Sequence, residues 1–236
     1  MSDVFEPGYF ESRYLPQLSV DVVIMSYHNG HLKVLLLRSG AIWLLPGGYV
    51  EHNEEVDAAA YRILAYRTGV VEAHLDFFKV FGSPNRVFSD LFQAYAKQKG
   101  RAWSAELPIN KRFVSLGYYA LVDIHQTSLK SGPLDDSIHW VDLSDLPKMS
   151  MDHDVIIQHA HERLKLDIQK NPIAHNLLPE TFTMPELHQL HQSILGENMD
   201  RSRFQKKMLA TGLFERLPER STEARGRNPY LYRIKG

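Results

Sequence analysis

Between Pro46 and Val70 the chain reads PGGYVEHNEEVDAAAYRILAYRTGV, its densest group of side chains able to do chemistry. Glu51, Glu54, Glu55 and Asp57 cluster where a helix should begin, followed by Arg62 and Arg67. Carboxylates grouped this way suit a hard ion such as Mg²⁺, which takes oxygen ligands in octahedral array together with substrate phosphates. A second account is purely electrostatic, because acids in a first helical turn complement the helix dipole. Positions 63, 66 and 67 stand at i, i+3 and i+4 and share one helix face. That face carries Ile63, Tyr66 and Arg67: an aliphatic chain, a phenol and a guanidinium. Arg67 can either grip a phosphate with a bidentate fork or pair with an acid such as Glu72.

The frame Gly48, Glu54, Arg62, Leu64, Gly69, Val70 resembles the Nudix box, G-x5-E-x7-R-E-U-x-E-E-x-G-U, where U is a bulky aliphatic residue. Every step of the spacing is kept, while the three glutamates after the arginine are replaced by Ile63, Tyr66 and Arg67. In that family the box is a loop–helix–loop whose carboxylates hold magnesium against a diphosphate. The resemblance therefore implies a retained scaffold with a dismantled metal site: no catalytic residue, no bound metal and no cofactor. A ligand pocket is still expected, contacted by Glu54, Arg62, Arg67, Phe81, Arg86 and Arg112.

The elements that must position these groups are legible from pattern. VDVVIMSY and LKVLLLR flank His28-Asn29-Gly30-His31, and Asn-Gly between apolar runs signals a β-hairpin over 19–38. A strand over Ile42 to Leu45 leads into the glycines. The box helix is expected near Glu54, with Asn53 as N-cap, an apolar stripe of Val56, Ala60, Ile63 and Leu64, and Gly69 as C-cap. Further strands are expected over 77–84, 113–123 and 137–141. A helix over Asp152 to Gln169 should turn Val155, Ile156, Ala160 and Leu164 inward. The segment 86–111 reads as an insertion with a short helix over Ser89 to Gln98. It forms either the rim of a ligand pocket, through Arg86, Phe88, Trp103, Lys111 and Arg112, or a self-packed cover.

After Lys170-Asn171-Pro172 the character changes. Thr183, with Pro185 in the first turn, should cap a helix bearing Leu187, Leu190, Ile194 and Leu195. A second helix follows from Asp200, apolar at Phe204, Met208 and Leu209 and basic at Arg201, Arg203, Lys206 and Lys207. Two strands then flank Arg225-Gly226-Arg227. From Asn198 onward ten basic residues face four acids, so this tail carries +6 and the remainder −7 of a net −1. Helix, basic helix and strand pair form a winged helix-turn-helix layout. The expected contacts to double-stranded DNA are Arg201, Ser202, Arg203, Lys206 and Lys207 on the second helix and Arg225 and Arg227 on the wing.

A degenerate Nudix domain followed by a winged helix is similar to the Nudix-related transcriptional regulators. Supporting stretches are FGSPNR, RFVSLGYYALVD, LPKMSMDHDVII and RGRNPYLY. The resemblance implies an α+β protein: a Nudix-fold α/β/α sandwich with a mixed sheet over 1–169, then a winged helix-turn-helix domain over 170–236. It also implies a homodimer that answers a small effector, an ADP-ribose-like nucleotide or a pentose sugar. The alternative is a Nudix hydrolase using displaced carboxylates on a nucleoside diphosphate derivative such as ADP-ribose.

Composition narrows the classes. With no cysteine, disulfides, iron–sulfur clusters, thiolate zinc sites and cysteine nucleophiles are excluded. The twelve histidines lack metal-ligand spacing: His159 and His161 diverge on a helix, and His188 and His191 lack an acidic partner in an H-E-x-x-H pattern. No apolar run approaches the ~20 residues of a membrane span. The acidic, aromatic N-terminus is unlike a signal peptide, so a cytoplasmic protein is expected.

Overall fold

The computed structural model describes residues 8–71, 73–125, 127–131, 135–170, 173–219 and 229–235. Its backbone is a long strand β1 (Tyr14–His28) on which everything else is hung. A short helix α1 (Tyr9–Arg13) precedes it. The Asn-Gly turn folds it onto β2 (His31–Ser39), with Asn29 at φ 51° and Gly30 at φ 85°, the left-handed pair that a two-residue hairpin turn requires. β3 (Ile42–Leu44) pairs with β2, and β4 (Gly47–Glu51) pairs with the first half of β1. β5 (Leu75–Phe81) lies antiparallel to β6 (Val114–Leu121), β6 runs parallel to β1, and β7 (Ser137–Asp142) closes on β2. The result is a mixed seven-stranded sheet.

Alternation along β1 sets the layers. Val20, Val22 and Ile24 meet α2 (Val56–Thr68) through Ala59, Ala60, Ile63 and Leu64. Val23 and Met25 face α4 (His153–Lys170) through Ile156, Ile157, Ala160 and Leu164. This is the expected α/β/α sandwich. Two details of the expected packing are corrected. Val155 is exposed and Ile157 takes its place inward, because α4 is set slightly rotated from the face that apolar count favoured. Asn53 does not cap α2; Glu55 is the residue at the cap and makes no side-chain cap bond.

The C-terminal part is α5 (Met184–Leu195), α6 (Arg201–Ala210) and a three-stranded sheet of β8 (Phe182–Thr183), β10 (Tyr230–Ile234) and β9 (Phe214–Glu219), in that spatial order. A reciprocal capping box joins Thr183 and Glu186, a device worth about 1 kcal/mol. Gly196 at φ 71° ends α5, and the Asp200 carboxylate accepts from the Arg203 amide at 2.7 Å to start α6. Phe204 and Met208 point into the core, while Leu209, expected beside them, is exposed.

No break in packing separates the two parts. Ile156, Leu164, Leu187, Leu190, Ile194 and Phe204 belong to one buried cluster. His161 Nε2 donates to the Ile194 carbonyl at 2.8 Å, and Ser193 Oγ donates to the Gly30 carbonyl at 2.9 Å. The hairpin turn of the large sheet therefore touches α5 directly. No helix among the described residues is long and apolar enough to cross a membrane.

Candidate effector pocket and nucleic-acid interface

The two box glycines create space. A Cβ at Gly47 would collide with the Asp21 carboxylate of β1, and one at Gly48 would stand 3.0 Å from Ile63 Cγ1. Their absence lets Asp21 sit buried within the strand and lets α2 pack close under β4. The Glu54 carboxylate then bridges the loop to the helix. It accepts from the Glu51 amide at 2.7 Å and from Arg62 Nε at 2.9 Å and Nη2. Arg62 Nη2 also donates to the Tyr49 carbonyl at 2.8 Å. The Arg62 hydrogen bonds hold the Glu54 carboxyl below the usual carboxylate range.

The three positions that distinguish this box have three different fates. Ile63 is buried against Gly48. Tyr66 is 51% exposed. Arg67 donates from Nε and Nη2 to the two oxygens of Asp135 at 3.0 and 2.8 Å, and from Nη1 to the Gly47 carbonyl at 2.7 Å. Burial keeps the Asp135 carboxyl above the usual range although Arg67 opposes the shift. Arg67 thus pairs with an acid 68 residues away in the chain; Glu72 lies outside the described residues. Of the two expectations for Arg67, a phosphate grip or an acid partner, the acid partner is present, and it is Asp135. This donor set does not fit Mg²⁺. Glu54 and Asp135 are engaged by Arg62 and Arg67, Asp21 lies buried in β1, and among the described residues no three His, Asp or Glu side chains are grouped to hold a metal ion.

A cavity of about 200 Å³ opens where β1, the β4 glycines, α2 and the start of α4 converge. Arg62, Ile63, Tyr66 and Arg67 form one wall, Asp21 and His153 another, and Tyr49 and Phe113 add aromatic surface. The insertion supplies the cover. Its helix α3 (Ser89–Gln98) and a 3₁₀ turn at Pro108–Asn110 pack Ala96, Leu107 and Ile109 against Phe10 and Tyr49, and Leu91, Phe92 and Tyr95 line the cavity. The segment 86–111 is self-packed as one reading expected, and it does border the cavity, but through Leu91, Phe92, Tyr95 and Ile109; of the expected rim residues Arg86, Phe88, Trp103, Lys111 and Arg112, none lines it.

The expected contact residues scatter. Of Glu54, Arg62, Arg67, Phe81, Arg86 and Arg112, only Arg62 and Arg67 line the cavity. Glu54 lies behind Arg62. Phe81 is buried beneath α4 with the rings of Phe78 and His159 against it. Arg112 is exposed and donates to the Gly82 carbonyl at 2.7 Å. Arg86, expected on a rim, is 2% exposed; it donates to the Phe81 carbonyl at 2.7 Å and its Nε lies 3.1 Å from Asp152. Asp21, Asp135, His153 and the wall tyrosines escaped sequence reading. The only signal for them was an acid inside an apolar strand and a histidine opening a helix.

His188 and His191 are held in packing contacts within the C-terminal part. His188 Nε2 donates to the Met199 carbonyl at 2.8 Å, and the rings of His188 and His191 both contact Phe204. On the outer face of α6, Arg201, Ser202, Arg203, Lys206 and Lys207 are all exposed. The cations among them make no ion pair within the described residues. Arg225 and Arg227, the expected wing contacts, lie outside the described residues. A larger cleft of about 730 Å³ runs between the two parts of the chain, lined by Gly69, Asp76, Asp123, Glu180 and Arg233. It touches the box helix only at its C-cap, so the smaller cavity is the box pocket.

A Nudix-fold sandwich carrying a winged helix on one side is the class these features define. The chain belongs to the NUDIX family: the NUDIX domain model matches residues 15–160, and the NrtR DNA-binding winged helix domain model matches residues 174–234. It is 28% identical over 230 residues to the ADPR responsive transcriptional repressor NtrR of Acinetobacter baylyi, covering 93% of this chain and 82% of that one. The crystal structure of Shewanella oneidensis NrtR complexed with a 27mer DNA is similar at TM-score 0.69 and 26% identity, over 93% of this chain and 94% of that one. A MutT/nudix family protein from Enterococcus faecalis is similar at TM-score 0.69 and 26% identity, over 98% and 89%.

Proposed function

We propose that the protein is an effector-responsive transcriptional regulator of the cytoplasm. It binds double-stranded operator DNA through α6 and the β9–β10 wing, and its box pocket senses a small molecule without turning it over. Residues 1–169 form the sensor and 170–236 the DNA-reading head. The observation that carries this is the exposed basic face of α6, presented by a winged helix that packs without a break on the Nudix sandwich. A recognition helix placed so would enter the major groove, with Arg201, Ser202 and Arg203 nearest base edges and Lys206 and Lys207 nearest phosphates. Arg225 and Arg227 would follow the wing to the backbone or minor groove. A homodimer on palindromic sites suits one such head per chain.

The effector reading rests on the pocket and on the ADPR responsiveness of the Acinetobacter relative. ADP-ribose is the first ligand to test, with pentose sugars beside it. At about 200 Å³ the cavity lies below the ~300 Å³ at which ligand clefts usually begin, so it accommodates one ring of a nucleotide sugar rather than the whole. Its arginines are internally paired and its walls aromatic, conditions that favour stacking on a ring.

The test is selection of bound fragments from sheared host DNA by the full-length protein at about 0.15 M salt, where the electrostatic contribution is already screened. It is run with and without ADP-ribose. Enrichment of a palindrome whose occupancy changes with the ligand is the expected result. No enriched site under either condition would overturn the regulator reading.

A further inference from the structure

Among the described residues ten buried side-chain polar atoms lack a hydrogen-bond partner, and five of them fall on four neighbouring residues: Asp21, Arg86, Asp152 and His153. Buried polar groups are almost always satisfied, so a concentration of orphans asks for a missing partner. Two of the four, Asp21 and His153, line the box cavity. Both are more than nine-tenths buried.

The chemistry of that pair is determined by its surroundings. His153 Nδ1 accepts the Leu45 amide at 2.9 Å, so the hydrogen of the neutral ring stands on Nε2. Burial pushes the His153 imidazole down, against the opposing pull of Asp21 and Asp152, which favours that neutral form. Nε2 lies 3.7 Å from the nearer oxygen of Asp21, too far for a direct hydrogen bond. The gap therefore presents the unpartnered Nε2–H and Asp21 Oδ1, which do not satisfy each other; the unpartnered oxygen of Asp21, Oδ2, faces Arg86 instead. Arg86, 3.7 Å from Asp21 Oδ2 and 3.1 Å from Asp152, backs the carboxylate from the protein side.

We infer that Asp21 and His153 form a subsite that reads a ligand hydroxyl group, an inference that rests on the cavity being the effector pocket. A hydroxyl oxygen about 2.8 Å from each atom accepts from Nε2–H and donates to the carboxylate. A phosphate or carboxylate only accepts and would be repelled by Asp21. An ammonium only donates and would leave Nε2–H unmatched. The Tyr49 and Phe113 rings lie on the same cavity, so the alcohol is one borne on a ring with an apolar face, as in a sugar. Asp21 and His153 are thus specificity-determining residues, and the diphosphate part of any nucleotide sugar lies away from them.

The test is calorimetry of the full-length protein with ADP-ribose, with ADP-ribose analogues each lacking a single ribose hydroxyl, and with D-ribose against 2-deoxy-D-ribose. One deoxygenated analogue should bind at least about tenfold more weakly than its parent, since sites built to bond a hydroxyl reject the compound lacking it. In His153→Phe that difference should shrink below about threefold while operator binding is kept. If every single-deoxy analogue binds the wild type within about twofold of its parent, the position holds only a water and the inference is overturned while the sensor reading stands. Retention of the full discrimination in His153→Phe would overturn it as well. Failure of all these ligands to bind a protein that still binds its operator would overturn the sensor reading together with the inference. The wild-type comparison needs no variant to fold.

Discussion

Arg67 and Asp135 meet through two parallel hydrogen bonds of 3.0 and 2.8 Å, with the carboxylate side chain 1% exposed. This pair stands where the Nudix box pattern places a glutamate on the metal face. It binds the end of α2 to a residue two positions before β7, and through the Gly47 carbonyl to the glycine loop. A cation needed for ligand chemistry has become part of the frame.

Breaking that pair should be costly. Asp135→Asn leaves a buried guanidinium without its counter-charge, for an expected loss of about 3–5 kcal/mol in urea unfolding. Arg67→Met combined with Asp135→Leu should recover most of the loss, because removing both charges removes the desolvation cost as well. A double variant as unstable as Asp135→Asn would show that packing, not charge, dominates here.

Catalysis by the family mechanism should be absent. ADP-ribose incubated with the protein and Mg²⁺ or Mn²⁺ is expected to yield no AMP above the buffer control by chromatography. Ile63→Glu should not restore activity, and it should cost about 2–4 kcal/mol because position 63 is buried under Gly48. Metal-dependent AMP release by the wild type would instead establish a hydrolase.

DNA contacts should separate by salt dependence. Lys206→Ala and Lys207→Ala should each flatten the slope of log K against log salt by roughly one unit, with similar losses on all sequences. Arg203→Ala should cost about 1–3 kcal/mol at one operator position if it reads a base edge. Arg225→Ala and Arg227→Ala should behave as the lysines do. Binding unchanged in all five variants would remove the interface from this face.

Acid should loosen the α5–α6 contact. Burial, with Lys207 and His188 adding to it, pushes the His191 imidazole down to about 4 from 6.5. The unfolded chain therefore binds a proton first, and stability falls as pH drops from about 6.5 towards 4, by up to about 3 kcal/mol. Buried His153 and His161 are shifted in the same direction, so His191→Phe should remove only part of the fall. An unfolding free energy equally pH-dependent in His191→Phe would refute a role for this group.

Local order was legible because it is written in local chemistry. The Asn29-Gly30 turn, the α3 boundaries at Ser89–Gln98, the Gly69 helix end and the Thr183 cap each depend on residues within a few positions. The same reasoning misplaced Val155 and Leu209, since an apolar residue one position off the stripe is set in or out by the rotation of its helix on the sheet.

The sequence by itself determined the two-part organisation, the succession of the longer strands and helices though not α1, β4 or β8, the altered metal face and the basic α6. Only the tertiary structure decided what the buried charges do. Asp135 reaches Arg67 across 68 positions, Arg86 leaves the expected rim to stand behind Asp21, and His153 meets Leu45 across 108. Periodicity carries no information about such partners. They are selected by the cost of leaving a charge or a polar atom unmatched inside the protein, and that cost exists only once the chain has closed around them.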